Sequence, residues 1–260
     1  YNLSIFRNIP KKAGNNLFQS AIGPACLIFY NNHTPVSKSD TILYCAPKTY
    51  ARNRAVHGLI IDNIDIKYLP YEECKKEDSK IWKVAMWGNL RDFNFIQNLT
   101  NNTQKLTKLL TDNNFEKGVG FQKSQPLKIV NAAIKDIPFI ETTELNRFFT
   151  PSRLTKSIND TIFRRLGKVE AYKAPHILIK EGQKNKKFCA SYLDFDCSFK
   201  ESIYGLHHSD EKLLKSITAY LNSSFAFYYF FLTASSWGID RPRIKPYELL
   251  SLPNLLESMS

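Results

Sequence analysis

The apolar positions change period three times along the chain. At first they come as short runs between breakers. Pro24–Tyr30 (PACLIFY), with Gly23 before it and Asn31-Asn32 after it, predicts a strand buried on both faces. Thr41–Ala46 (TILYCA), stopped by Pro47, predicts a second strand, and the polar stretch Asn31–Asp40 between them predicts a hairpin. Two strands do not make a stable sheet, so this region reads as the last part of a larger one. Thr49–Leu59 suits a short helix, and Ile64–Pro70 an extended piece. Then the period lengthens. Ile81, Val84, Ala85, Leu90, Phe93, Ile96 and Leu99 recur at steps of three and four. Gly88 and Asn101-Asn102 interrupt them, which predicts two or three short helices after a cap at Asp78 or Ser79. Thr111–Asn114 reads as a loop and a domain boundary.

Beyond it the pattern returns to strands. Gly118–Gln122 starts a β-rich region, and Val169–Lys180 and Phe188–Phe195 flank the polar connection Glu181–Lys187 in the form of a hairpin. Between them, Glu144–Lys168 has weak periodicity and interleaves basic residues with Phe148, Phe149 and Phe163. The last part is helical again. Ser209 is placed to cap one long helix, with Asp210 and Glu211 in its first turn. Its stripe is Leu213, Ile217, Tyr220, Leu221, Phe225, Tyr228 and Leu232, and its second half is apolar nearly all round, which predicts enclosure on most sides. A Trp-Gly-Ile-Asp-Arg turn, a short basic arm and a helical pattern ending at Pro253 follow, so Leu221–Pro253 reads as a brace. The predicted fold class is α+β in four parts: α/β strands over 1–78, a helical connector over 79–114, a β-rich domain over 115–208, and the aromatic helix with its brace over 209–260.

Charge sharpens this division. The formal net charge is +12. Lys117–Lys187 holds fifteen Lys and Arg against six Asp and Glu, whereas Phe188–Ser260 holds six against eight. A basic excess confined to the β-rich part points to an anionic partner. The other bounds are negative. Phe225–Leu232 is far too short to span a bilayer, so no membrane is expected. Cys26, Cys45, Cys74, Cys189 and Cys197 form no C-x-x-C pair, which argues for reduced thiols in a cytoplasm and against zinc. The chain opens at Tyr1 without an initiator Met or a recognisable secretory signal, and reads as part of a longer protein.

Candidate chemistry is sparse. Gly118 and Gly120 form a G-x-G after a loop rather than a strand, which suits a β-turn better than a cofactor loop. Asp65 and Lys67, with Asp40 or Asp62, fit half of a metal-dependent nuclease site, in which carboxylates hold a divalent ion that activates water. His176 reads as a hydrogen-bonded strand residue, and His207-His208 lacks a partner at metal spacing. No catalytic, cofactor or metal residue is predicted. The basic residues are better candidates: Arg147, Arg153, Lys156, Arg164, Arg165, Lys168 and Lys173, with Lys184, Lys186 and Lys187 at the hairpin tip and Arg243 in the C-terminal arm, suit a double-stranded DNA footprint. Arg forks can read guanine edges, and Lys supplies sequence-neutral phosphate contacts. Arg241 suits either a DNA contact or a tie between turn and helix.

Four stretches together resemble a known family. Leu221–Ile244 (LNSSFAFYYFFLTASSWGIDRPRI) followed by Glu248–Pro253 (ELLSLP) is similar to the C-terminal part of Eco57I-like N6-adenine DNA methyltransferases of bacterial restriction–modification systems. Leu17–Phe29 resembles the last strands of the family's methyltransferase domain. Ile81–Leu99 resembles its helical connector, and Ala174–Lys180 with Phe188–Phe199 the core hairpin of its target recognition domain. The resemblance implies a sequence-specific DNA recognition portion that presents an adenine to an upstream catalytic domain of the same chain. S-adenosylmethionine is the cofactor it implies for the parent enzyme. The family's cofactor glycines and its N-P-P-[Y/F] loop have no counterpart here, since both lie upstream of what Leu17–Phe29 matches. Two other readings remain open: a separate specificity subunit as in type I systems, and a nuclease using Asp65 and Lys67.

Overall fold

A computed structural model describes residues 2–6, 25–30, 40–50, 58–123, 129–130, 134, 136–158, 162–184, 187–238 and 242–256. They show a mixed α+β protein with two compact units. The first comprises Tyr1–Asn101 with Phe231–Arg241, and the second Asn102–Phe230 with Pro242–Ser260. Residues 79–101 of the predicted connector belong to the first unit and residues 102–114 to the second.

In the first unit, β1 (Asn2–Phe6), β2 (Ala25–Phe29), β3 (Thr41–Cys45) and β6 (Ile66–Pro70) form a sheet ordered β2-β1-β3-β6. Both predicted strands exist, but the hairpin between them does not. β1 lies between β2 and β3, antiparallel to the first and parallel to the second. Burial on both faces is also corrected for β2: it is an edge strand, and Leu27, Ile28 and Phe29 are about half exposed or more (47%, 64% and 58%). β3 does bury one face, through Ile42 and Tyr44. Where a helix was expected over 49–59, β4 (Lys48–Tyr50) pairs antiparallel with β5 (Gly58–Ile60); residues 51–57 lie outside the described ones. A short helix α1 (Tyr71–Cys74) leads to α2 (Ile81–Trp87) and α3 (Leu90–Asn102), which bury Ile81, Val84, Ala85, Phe93 and Ile96 as the periodicity predicts; Met86, outside the predicted stripe, is also buried, whereas Leu90 is exposed at the start of α3 and Leu99 is half-buried. Ser79 accepts the Ile81 amide at 3.3 Å, and Gly88 ends α2. Gly88 is followed by Asn89, whose side chain accepts the Arg91 amide at 2.8 Å and starts the next helix.

The second unit opens with α4 (Leu106–Asp112), the third helix of the predicted set. Its strands are β7 (Glu116–Val119), β8 (Ile129–Val130), β9 (Phe139–Ile140), β10 (Phe148–Phe149), β11 (Ile162–Phe163), β12 (His176–Lys180), β13 (Ala190–Leu193), β14 (Ser198–Phe199) and β15 (Ile203–His207). A five-stranded sheet runs β10-β13-β12-β15-β7, with the predicted β12–β13 hairpin at its centre. β12 is buried from His176 to Ile179 because both faces of the sheet are covered. One face carries α5 (Glu211–Leu221), packed on β12 and β13. The other face sends Leu178, Leu193 and Ile203 into a core with Phe121, Phe139, Phe163, Tyr172 and Phe199, which come from an irregular layer containing the two-stranded pairs β8–β11 and β9–β14. Gly120 lets this layer close. A Cβ there would strike the carbonyl oxygens of Phe199 and Lys200, so the G-x-G that suggested a turn is a strand end pressed against another backbone.

The predicted long helix is two helices, α5 and α6 (Ser224–Thr233), broken at Asn222-Ser223. The break has a cause. Asn222 turns its amide to β13, donating to the Ala190 carbonyl at 2.7 Å and accepting the Ala190 amide at 3.3 Å, while Ser223 accepts the Ala226 amide at 3.1 Å as the new cap. Asp210, not Ser209, caps α5 through the Leu213 amide at 3.0 Å. The buried stripe runs through Leu214 rather than Leu213. After α6 comes Trp237, then α7 (Pro246–Leu250), started by Glu248 accepting the Lys245 amide at 2.8 Å. The brace over 246–254 is tied by the Tyr220 hydroxyl, which donates to the Pro253 carbonyl, and by the Leu106 amide, which donates to Leu252 at 2.8 Å.

Candidate nucleic-acid interface

The irregular layer carries most of the predicted cations, and its backbone is pinned before any side chain leaves it. Phe121, buried, meets Phe139 at 5.4 Å and Phe163 at 5.2 Å between ring centroids. Above these rings the segments are joined by main-chain bonds. Phe139 and Lys156 exchange amide-to-carbonyl bonds at 2.7 and 2.8 Å, the Arg164 amide donates to Gln122 at 2.8 Å, and the Gln122 amide donates to Arg165 at 2.8 Å. Arg153, on a one-turn 3-10 helix over Ser152–Leu154, and Lys156, Arg164, Arg165, Lys168 and Lys173 are all exposed on this layer. Lys123, which the sequence reading did not select, belongs with them, and its ammonium lies 5.9 Å from the Phe121 ring centroid. Its place inside the basic segment was the available signal. Lys168 forms an exposed pair with Glu116 at 2.5 Å, and that hydrogen bond lowers the Glu116 pKa and raises that of Lys168. Exposed pairs contribute little to stability, so a phosphate can replace the carboxylate.

Two predicted contacts are turned inward instead. The Lys184 ammonium has three acceptors, the carbonyls of Thr143 and Leu145 at 3.2 and 2.7 Å and the Asn146 side chain at 2.9 Å. Arg147 donates to the Phe188 carbonyl at 3.0 Å and to the Asn222 side chain and carbonyl at 3.2 and 2.6 Å. Both serve as internal ties between the sheet edge and its neighbours, so we leave them out of the footprint. Lys187 is exposed. Arg243 is also exposed, on an arm whose Ile244 amide donates to Glu181 at 2.8 Å. There burial raises the Glu181 pKa, and the Arg243 charge opposes the rise. Lys186 and Arg241 lie outside the described residues.

Asp65 is 2% exposed and accepts the Asp62 amide at 3.1 Å, closing its own turn. Among the described residues no three His, Cys, Asp or Glu side chains gather as a metal site. The five cysteines are free thiols, and burial pushes Cys197 up to about 12. No helix among the described residues is long and apolar enough to cross a membrane.

His176 is fully buried in β12, with Nδ1 at 2.9 Å from the Ala171 carbonyl, and burial lowers its pKa from 6.5 to about 4. A histidine kept neutral in the fold but free to protonate when unfolded contributes stability that is complete above pH 6.5 and is lost as pH falls towards 4. Urea unfolding of the protein is expected to lose about 3 kcal/mol from this group across that window. His176→Gln should flatten that part of the pH dependence; an unchanged slope would assign it elsewhere.

No protein-family model matches the sequence, and no curated protein matches it significantly.

Proposed function

We propose that the chain is the DNA recognition portion of an N6-adenine DNA methyltransferase of the Eco57I-like kind. The observation that carries this reading is the cationic layer itself: Arg153, Lys156, Arg164 and Arg165 stand exposed on backbone that is pinned over a buried aromatic cluster. Phosphate binding needs charge held in register, and a rigid base provides it. The exposed Lys side chains, with Arg164 and Arg165, neutralise phosphates, and the Arg153 fork reaches a base edge in the major groove. The register so fixed presents one adenine for flipping into a pocket on an upstream domain, which also holds S-adenosylmethionine. This chain's own work is to bind and orient.

Fluorescence anisotropy of the chain with duplex DNA, titrated over a range of salt, tests this. Binding is expected to weaken linearly on a log–log plot, and the triple change Lys156→Gln, Arg164→Gln, Arg165→Gln should lower the slope by about 2 to 3. A duplex affinity indifferent to salt would overturn the reading, and an unchanged slope in the triple variant would overturn the footprint. Arg153→Ala should retain affinity for random duplex and lose preference for the recognised site.

A further inference from the structure

The short edge strand β10 combines features that the cationic layer does not explain. Phe148 has φ 71°, in the left-handed region, which is an outlier for a bulky side chain. Such strain persists only where the surroundings enforce it, and it gathers at functional positions. Here the enforcement is visible. The Asn146 amide donates to Thr150 Oγ1 at 2.9 Å, and Thr150 Oγ1 lies 2.7 Å from Ser191 Oγ, with both residues fully buried. The Arg147 guanidinium, held by Phe188 and Asn222, lies 5.0 Å from the Phe148 ring centroid. The conformation so fixed leaves a phenylalanine 51% exposed, beside Phe149 at 48%. Burying these rings would be worth more than exposing them, so the fold holds an apolar ring out in water. Its chain neighbour Arg147 also lines a cavity of about 260 Å³, together with Lys187 and the hydroxyl-bearing Ser223 and Ser224 at the start of α6. An exposed aromatic ring one residue away from a cavity that the exposed Lys187 lines is complementary to a flat ring attached to an anion.

We propose that Phe148 is a stacking wedge for a DNA base that has left its helical stack, with Lys187 meeting the adjoining phosphate. The inference rests on the DNA-binding reading above and adds a mode of contact that the cationic layer lacks. Stacking on an aromatic side chain is indifferent to base identity, because every base has a π-face. It favours DNA whose bases unstack cheaply, such as a mismatched pair. Phe149 extends the apolar surface beside the wedge.

The test compares affinities for two duplexes that differ only by one mismatch, at fixed salt and across a salt series. The wild-type chain is expected to prefer the mismatched duplex about tenfold, and Phe148→Ala to bind both equally with its salt slope unchanged. Phe148→Tyr, which keeps the ring, should retain the preference. Phe148→Gly accepts the left-handed backbone without strain, so it should lose the preference while its Tm stays level or rises, which separates lost stacking from lost folding. Salt-dependent binding with no mismatch preference, or with a preference that survives in Phe148→Ala, overturns the wedge and leaves the DNA reading standing. Absence of salt-dependent binding in the wild type overturns the DNA reading itself.

Discussion

Asn222→Ala is expected to lower the unfolding free energy of the second unit by about 3 to 5 kcal/mol, as loss of a buried polar junction does. One side chain satisfies both main-chain groups of Ala190, donates a second bond to the Thr218 carbonyl at 2.9 Å and accepts from Arg147. Alanine removes these contacts and leaves the buried amide and carbonyl of Ala190 without partners, while the Arg147 Nε keeps the Phe188 carbonyl. Each such group costs about 1 to 3 kcal/mol when stranded. Asn222→Asp keeps the acceptor and loses the donor, so it should fall between. Urea unfolding at neutral pH measures both. A loss under about 1 kcal/mol for the alanine variant would show that water replaces the side chain.

The second large effect is expected at the centre of the irregular layer. Phe199 is fully buried, meets the Tyr172 ring edge-on at 4.8 Å, and accepts the Phe121 amide at 2.9 Å through its own carbonyl. Phe199→Ala should cost about 3 to 5 kcal/mol, since its neighbours are themselves fixed and cannot collapse into the space. The opposite change has the same target. A Cβ at Gly205 would run into the Phe199 ring, so Gly205→Ala should cost about 1 to 3 kcal/mol by overpacking. Combined, the two changes should be less damaging than their sum, because each relieves what the other imposes. Strict additivity in denaturant melts would show that the two sites are not packed against one another.

What the sequence made legible follows from the range of each interaction. The β12–β13 hairpin and the helices α2 to α4 depend on local period and nearby breakers, and they appear where the pattern put them. The pairing of β1 with β3 across the intervening β2 is a non-local choice that no local pattern carries. The break at Asn222 is similar: Asn within an apolar run reads as a minor blemish until β13 supplies a partner for it. Among the cations, Arg147 and Lys184 look like Arg153 and Lys156 in sequence. Only the acceptors that fold up around the first two set them apart. The strained Phe148 was named only as one aromatic among basic residues, because the sequence does not display a dihedral angle.

The first unit is also closed by residues that come late in the chain. The Lys83 ammonium donates to the Trp237 carbonyl across 154 positions, and the Trp87 ring meets Phe231 at 5.5 Å. Domains generally fold in the order of synthesis, N-terminal first. Here that order is blocked, because all of 102–230 must leave the ribosome before α2 receives these partners. A nascent chain stalled before Phe231 would present Trp87 without its ring partner, and release of that surface from chaperones would wait on Phe231 and Trp237.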